Sequence, residues 1–239
     1  PKTGKQLWKH YRPAKARSES LEAFSTPMPF SHNGRDEIVI VGGDCLTGHD
    51  PKTGKELWRW GTWNPSRIGH WRLVPSPVSG KGVLLACGPK GAPVFAIKAG
   101  AKGDVSEDKS SIAWHSEGRR DQVTSDVSTP LFYQGNFYVL YGEGRDKILS
   151  CVDPKSGKVK WATDLESRSL FRGSPTGADG KLYVQNHAGT VHVIDAKSGK
   201  VLHKTNMGDP GDDQTRATIA VAHGNLFIRT NSRLYCIGS

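Results

Sequence analysis

The sequence predicts an all-β chain, a β-propeller of four-stranded antiparallel blades with about five blades present. Three observations lead there. A turn-and-strand motif recurs at nearly constant spacing. Short stretches rich in β-branched and aromatic residues fall at a fixed phase within each repeat. Gly accounts for 28 of 239 residues, about 12% against a usual ~7%, with 14 Pro, as a turn-rich chain requires.

The motif comes first. Residues 1–8 read PKTGKQLW, 50–58 DPKTGKELW, 153–161 DPKSGKVKW and 195–203 DAKSGKVLH. A further copy is degraded: a long polar segment follows Ile97 and ends at Ile112-Ala113-Trp114. The markers Trp8, Trp58, Trp114, Trp161 and His203 are separated by 50, 56, 47 and 42 residues. Asp50 suits the first position of a type I turn, where its carboxylate accepts a backbone N–H, and Pro51 presets φ at the second. Gly54 takes the left-handed conformation that closes a bulged hairpin. Asp153-Pro154 with Gly157, and Asp195 with Gly199, repeat the arrangement, so each copy is a hairpin turn leading into a marker-bearing strand.

The remaining strands follow in order. Thr26-Pro27, Ser76-Pro77, Thr129-Pro130, Ser174-Pro175 and Thr218-Ile219 recur ahead of a glycine turn at Gly34, Gly80, Gly135, Gly180 and Gly224. A second strand follows each turn, at 38–41, 83–87, 137–141, 182–185 and 226–229. A third leads to the Asp turn at 94–97, 148–152, 191–194 and 234–237; its counterpart at 45–49 is polar. Four short strands in about 45 residues is the period of a propeller blade. A β-sandwich would not demand the same turn at the same phase in every unit. The whole of 1–239 reads as one domain. Two arrangements fit its start: residues 1–10 supply the fourth strand of the last blade (217–239) and close a five-blade ring, or the chain is the C-terminal part of a seven- or eight-bladed propeller. A start in mid-motif without Met favours the second.

Composition sets the function classes. Lys plus Arg total 33 and Asp plus Glu 23, a formal charge of +10 that suits anionic partners. The longest basic run is Arg119-Arg120, without a basic helix or interleaved aromatics, so no specific nucleic-acid binding is expected. No stretch approaches the roughly 20 apolar residues of a transmembrane segment, and no signal peptide is visible. Four cysteines are too few for a disulfide scaffold; Cys45, Cys87, Cys151 and Cys236 read as small, buried and reduced. The nine His form no metal pattern: His187 and His192 flank a hairpin turn, and the acidic loop Asp209, Asp212 and Asp213 lacks calcium-loop spacing. Neither a nucleophile elbow nor a phosphate loop occurs. No catalytic residue and no metal ligand is assigned.

Around the hairpin, the Asp, Gly and Trp of the repeat resemble the tryptophan-docking motif of PQQ-like β-propellers over nearly the whole chain. That family includes quinoprotein dehydrogenases and the non-catalytic lipoprotein propeller of outer-membrane barrel assembly. The resemblance implies that Trp8, Trp58, Trp114 and Trp161 pack between adjacent blades, while His203 makes a weaker contact. It also implies a bacterial extracytoplasmic setting, periplasmic or secreted. The family's dehydrogenases use adjacent cysteines, pyrroloquinoline quinone (PQQ), calcium and an Asp base; this chain has no Cys-Cys, and no cofactor is expected.

Two surfaces stand out. Equivalent turns share one propeller face, so Lys2, Lys5, Lys52, Lys55, Lys155, Lys158, Lys197 and Lys200 recur around a rim that suits an anionic polymer or surface. On the opposite face, loop 61–74 holds Trp63, Arg67, His70, Trp71 and Arg72, and later loops carry Arg168, Arg172 and Arg216. Arg172 and Arg216 each lie three residues before the Pro position of their repeat and so point to equivalent places near the axis. Arg and aromatic groups are favoured binding anchors. The reading is a protein-binding scaffold using this loop face. A PQQ-dependent dehydrogenase or a fragment of one is the alternative, and carbohydrate binding through Trp63 and Trp71 a second.

Overall fold

The computed structural model describes residues 2–12, 15–61 and 63–238. Pro1 of the first motif copy, Thr62 of loop 61–74 and Ser239 of the last blade lie outside the described residues. Five sheets follow one another along the chain. Blade one holds β1 (Met28–His32), β2 (Arg35–Gly42), β3 (Cys45–His49) and β4 (Glu56–Trp60). Blade two holds β5 (Val78–Gly80), β6 (Val83–Cys87), β7 (Val94–Lys98) and β9 (Ile112–His115). The short β8 (Gly103–Asp104) lies between β7 and β9 in sequence but pairs parallel to β4. Blade three holds β10 (Leu131–Tyr133), β11 (Asn136–Tyr141), β12 (Ile148–Val152) and β13 (Val159–Asp164). Blade four holds β14 (Thr176–Ala178), β15 (Lys181–Gln185), β16 (Thr190–Asp195) and β17 (Val201–Asn206). Blade five has β18 (Ala220–Ala222), β19 (Asn225–Arg229) and β20 (Leu234–Ile237). Within each blade the strands pair antiparallel in chain order. The fold is thus all-β, with five blades.

The repeated turn chemistry sets the register. The Asp50, Asp153 and Asp195 amides bond the Lys55, Lys158 and Lys200 carbonyls at 2.9 Å, while Gly54, Gly157 and Gly199 adopt φ of +73°, +72° and +76°. Each Asp Oδ1 accepts turn hydrogen bonds, which lowers its pKa. Beyond each turn a bulge falls at the same place, between Gly48/His49, Cys151/Val152 and Val193/Ile194, and blade two has one between Ala96/Ile97. The bulge sets Trp58 opposite Gly48, Trp114 opposite Ala96, Trp161 opposite Cys151 and His203 opposite Val193.

The core is divided into seams between blades. Side chains alternate across a strand. Leu84 and Ala86 of β6 therefore meet Val39 and Val41 of blade one, while Val83, Leu85 and Cys87 turn the other way to Phe137 and Val139 of blade three. Tyr138 and Leu140 meet Leu182 and Val184 across the next seam, and Tyr183 and Val191 meet Ile219 and Ile228 across the last. A hydrogen-bonded chain runs beside these seams through the Ser/Thr-Pro positions. Thr26 N donates to Ser76 Oγ (2.8 Å), Ser76 N to Thr129 Oγ1 (3.0 Å), Thr129 N to Ser174 Oγ (3.0 Å) and Ser174 N to Thr218 Oγ1 (2.9 Å).

One expectation needs correction. Cys236 is exposed, unlike the buried Cys45, Cys87 and Cys151, because β20 has β19 as its sole sheet partner among the described residues. Residues 2–10 form no strand beside β20. Their neighbourhood is blade one: Trp8 Nε1 donates to Pro51 O, and His10 stacks edge-on to His49 at 5.0 Å.

Candidate binding face

The marker aromatics are placed in three ways. Trp8 and Trp114 reach the following turn, donating to Pro51 O (3.0 Å) and Pro154 O (2.8 Å) while their rings cover Gly54 and Gly157. Trp161 covers Gly199, but Tyr138 Oη already bonds Ala196 O at 3.0 Å and the buried Trp161 Nε1 has no partner among the described residues. Trp58 packs in the cluster shared by blades one and two, but without a following turn to cover. Its ring lies on Gly48 of its own blade and Nε1 donates to Glu37 Oε2 at 2.5 Å. The physical reason is the degraded turn ahead of Trp114: residues 103–104 instead run along β4, and Val105 N bonds Arg59 O. His203 is exposed.

Loops joining the fourth strand of one blade to the first of the next share a face with the loops between second and third strands. In loop 61–74, Asn64 is the organiser: Nδ2 donates to Asp44 Oδ2 (2.8 Å), and Oδ1 accepts from Ile68 N (2.8 Å). Arg67, at φ +51°, donates from Nε to Lys15 O (2.7 Å), and its carbonyl accepts from Arg17 Nε. Arg72 bridges Glu19 (3.1 Å) and Glu22 (3.0 Å). These bonds fasten the loop to residues 15–24. Trp63 is only 6% exposed and packs on Trp60 at 5.0 Å, Trp71 is half-buried, and His70 is exposed. Burial disposes Trp63 to packing rather than to sugar stacking. A 530 Å³ cavity below this loop is lined by both signs of charge, including Lys15, Asp44, Arg59, Arg67 and Asp104. Burial raises the Asp44 pKa.

The later loops converge on His187. Its amide donates to Leu170 O (2.8 Å), and its carbonyl accepts from Thr215 N (3.0 Å), so three loops meet there. Arg172 pairs with Glu143 at 2.7 Å, while Arg216 donates, among the described residues, only to Gln214 Oε1. Burial lowers the His187 pKa, and the Arg172 and Arg216 charges reinforce the shift. The two arginines singled out by the repeat thus share a neighbourhood, apart from the loop 61–74 group. Residues that the motifs did not mark also sit here. Among the described residues, Gln185, 3% exposed, has no partner for either amide atom, and the buried His187 Nε2 has none. Row comparison carries the signal: at equivalent register Val41, Cys87 and Leu140 are apolar, then Gln185 and Arg229 are polar. Arg216 and the exposed Arg229 line a cavity of 310 Å³ with Gln214, Thr215, Thr230 and Asn231.

The sequence model of a family described as the outer membrane protein assembly factor BamB matches residues 101–238. The chain belongs to this PQQ-like propeller family. No curated protein sequence matches it. Among solved structures it is similar to BamB from Moraxella catarrhalis, at 15% identity and TM-score 0.65, covering 95% of this chain and 61% of that one. It is also similar to the quinohemoprotein alcohol dehydrogenases of Comamonas testosteroni (14%, TM-score 0.68, 93% of this chain and 42% of that one) and Pseudomonas putida HK5 (15%, 0.67, 97% and 42%). At such identity the likeness is one of fold. The chain spans about three fifths of the first structure and about two fifths of the dehydrogenases.

Among the described residues, no three His, Cys, Asp or Glu side chains gather as a metal set, and Arg172 is already held by Glu143. The four cysteines lie in four different blades. These residues do not fit a quinone–calcium centre. No helix among the described residues is long and apolar enough to cross a membrane.

Proposed function

We propose that the chain is a non-catalytic, protein-binding scaffold of the bacterial cell envelope, using the loop face around His187. One observation carries this reading: a rigidly tied loop surface presents Arg216 and Arg229, without an ion-pair partner among the described residues, around a 310 Å³ cavity. The rigidity comes from bonds between neighbouring loops. Thr124 Oγ1 donates to Ala92 O (2.7 Å), Ser128 Oγ to Gly173 O (3.0 Å) and Thr215 N to His187 O (3.0 Å). A preorganised surface loses little entropy on binding, and Arg is enriched among residues that dominate binding energy. The similarity to an outer membrane assembly factor supports a protein partner and an envelope location. The lysine-bearing turn face is a second, electrostatic contact for an anionic surface.

The test places a photo-crosslinking residue at Arg216 or, on the turn face, at Lys155, and exposes each variant to a Gram-negative envelope fraction. A discrete protein adduct from position 216 that is absent from 155, and that weakens with Arg229→Glu, is expected. Titration with PQQ and calcium is the opposing arm. Saturable binding accompanied by alcohol oxidation would overturn the scaffold reading.

A further inference from the structure

We propose that the turn face of the blades lies against an anionic phospholipid bilayer, with the loop face directed away from it. The inference rests on the envelope reading above and names the surface that its electrostatic contact meets. The turn face is one layer. Strands pair antiparallel in chain order, so the turn between first and second strands and the turn between third and fourth lie at the same end of each blade. Neighbouring blades set these turns side by side. Gly180 N donates to Tyr133 Oη at 2.9 Å between blades three and four, and Trp114 of blade two covers Gly157 of the Asp153 turn.

Three turns of this layer, in blades one, three and four, repeat one charge pattern. Lys52 and Lys55, Lys155 and Lys158, and Lys197 and Lys200 are all exposed. Among the described residues none of the six is in an ion pair; the paired lysines of this face are Lys160 and Lys181. The Asp of each turn does not tie them down, because its Oδ1 is taken by the amides of its own turn. Each turn therefore presents two unpaired ammonium groups against one carboxylate already engaged. On the loop face Arg predominates, and acids hold part of it: Arg72 bridges Glu19 and Glu22, and Arg172 pairs with Glu143.

The residue type indicates the partner. A guanidinium makes directional, bidentate contacts, whereas a lysine ammonium is a hydrated point charge on a flexible stem. Such groups suit a surface of laterally mobile phosphates, where each adds to the attraction without a fixed register. Residues 50–55, 153–158 and 195–200 include no aromatic on which a nucleic-acid base could stack. Lysines spread over three rigid blades meet a plane better than a single strand. Beside the blade-three turn, Asp153, Ser156, Lys158 and Lys160 line an open recess of 480 Å³, which places the Lys158 ammonium beside space for a headgroup phosphate.

The test is flotation of the unaltered chain with vesicles of one part phosphatidylglycerol to two parts phosphatidylethanolamine, and with vesicles of phosphatidylcholine alone. Binding to the first and not to the second is expected, and it should vanish at about 1 M salt, where the screening length is about 3 Å. Lys155→Glu with Lys158→Glu, and separately Lys197→Glu with Lys200→Glu, should each weaken binding about tenfold or more. Arg120→Glu with Arg145→Glu alters net charge equally at exposed positions of the loop face and should leave binding within about twofold, since the attraction fades within a screening length. Circular dichroism reports folding of each variant, and two separate turn pairs keep the test open if one fails to fold. No binding to the anionic vesicles overturns the proposal, as does an equal loss from the loop-face pair, which would make net charge the cause. Retention on dextran sulfate without vesicle binding would assign the face to a soluble polyanion and overturns it too. Crosslinking from position 216 reads the other face, so either reading can fail while the other stands.

Discussion

Gly157→Ala isolates what the indole contact across one seam contributes. Gly157 sits at φ +72° in the Asp153 turn, and a Cβ there would fall 2.6 Å from Trp114 Cδ2. Two penalties follow: the left-handed conformation costs an L residue about 1–2 kcal/mol, and displacing a packed ring costs about 1–3 kcal/mol more. Gly180→Ala is the internal control, since Gly180 has φ +70° with open space where a Cβ would stand. It should lose about 1–2 kcal/mol, from the backbone alone. Urea unfolding followed by circular dichroism gives both values. The reasoning requires Gly157→Ala to be the more damaging by about 1–3 kcal/mol, with Trp114→Leu in the same chain shrinking that gap. Equal losses to within about 0.5 kcal/mol would refute a tight indole–turn contact.

Three further outcomes are predicted. Ser174→Ala strands the Thr129 amide and should cost about 1 kcal/mol, with faster hydrogen exchange at that amide, while Ser174→Thr restores protection. His192 is fully buried and its pKa is pushed down to about 4, chiefly by burial. Below its ordinary value of 6.5 the unfolded chain takes up a proton that the folded chain refuses, so stability present above pH 6.5 is lost as pH falls toward about 4. His192→Gln should flatten the stability curve in that window relative to the parent, and an identical slope would refute it. In dilute native protein a maleimide should label Cys236 promptly, whereas Cys45, Cys87 and Cys151 should react only on unfolding; burial pushes the Cys87 thiol up to about 12.

The blades were legible because their signals are local. An Asp that caps its own turn, a Gly at positive φ and a strand two residues on are all set by near neighbours, so the Asp153 and Asp195 turns formed where the sequence placed them. What resisted reading depends on partners far away in sequence. Arg172 looks like a free anchor until the 29-residue separation to Glu143 closes. Trp63 looks like an exposed aromatic until it meets Trp60 in the same seam as Leu84. Gln185 carries no motif at all, and only alignment of equivalent rows separates it from Val41 and Leu140.

The seam between blades one and two shows how a missing motif can be replaced. Without an Asp turn ahead of Trp114, Trp58 has no following turn to dock on, and the carbonyl that would accept its N–H is absent. Glu37, 2% exposed and itself paired with Arg35, supplies the acceptor from within the blade. The seam is then closed by bulk: Trp60 lies 5.0 Å from both Trp63 and Phe95, and both partners pack in the same cluster. Burying an indole removes about 150–250 Å² from water, an upper estimate of roughly 4–6 kcal/mol each at 25 cal/mol per Å². The Trp60 N–H group has no partner among the described residues, which takes back about 1–3 kcal/mol. Area therefore outweighs the lost polar contact. The seam that looks weakest by motif is held by its aromatic content, and β8 alongside β4 covers the outer edge that the absent turn would otherwise have left open.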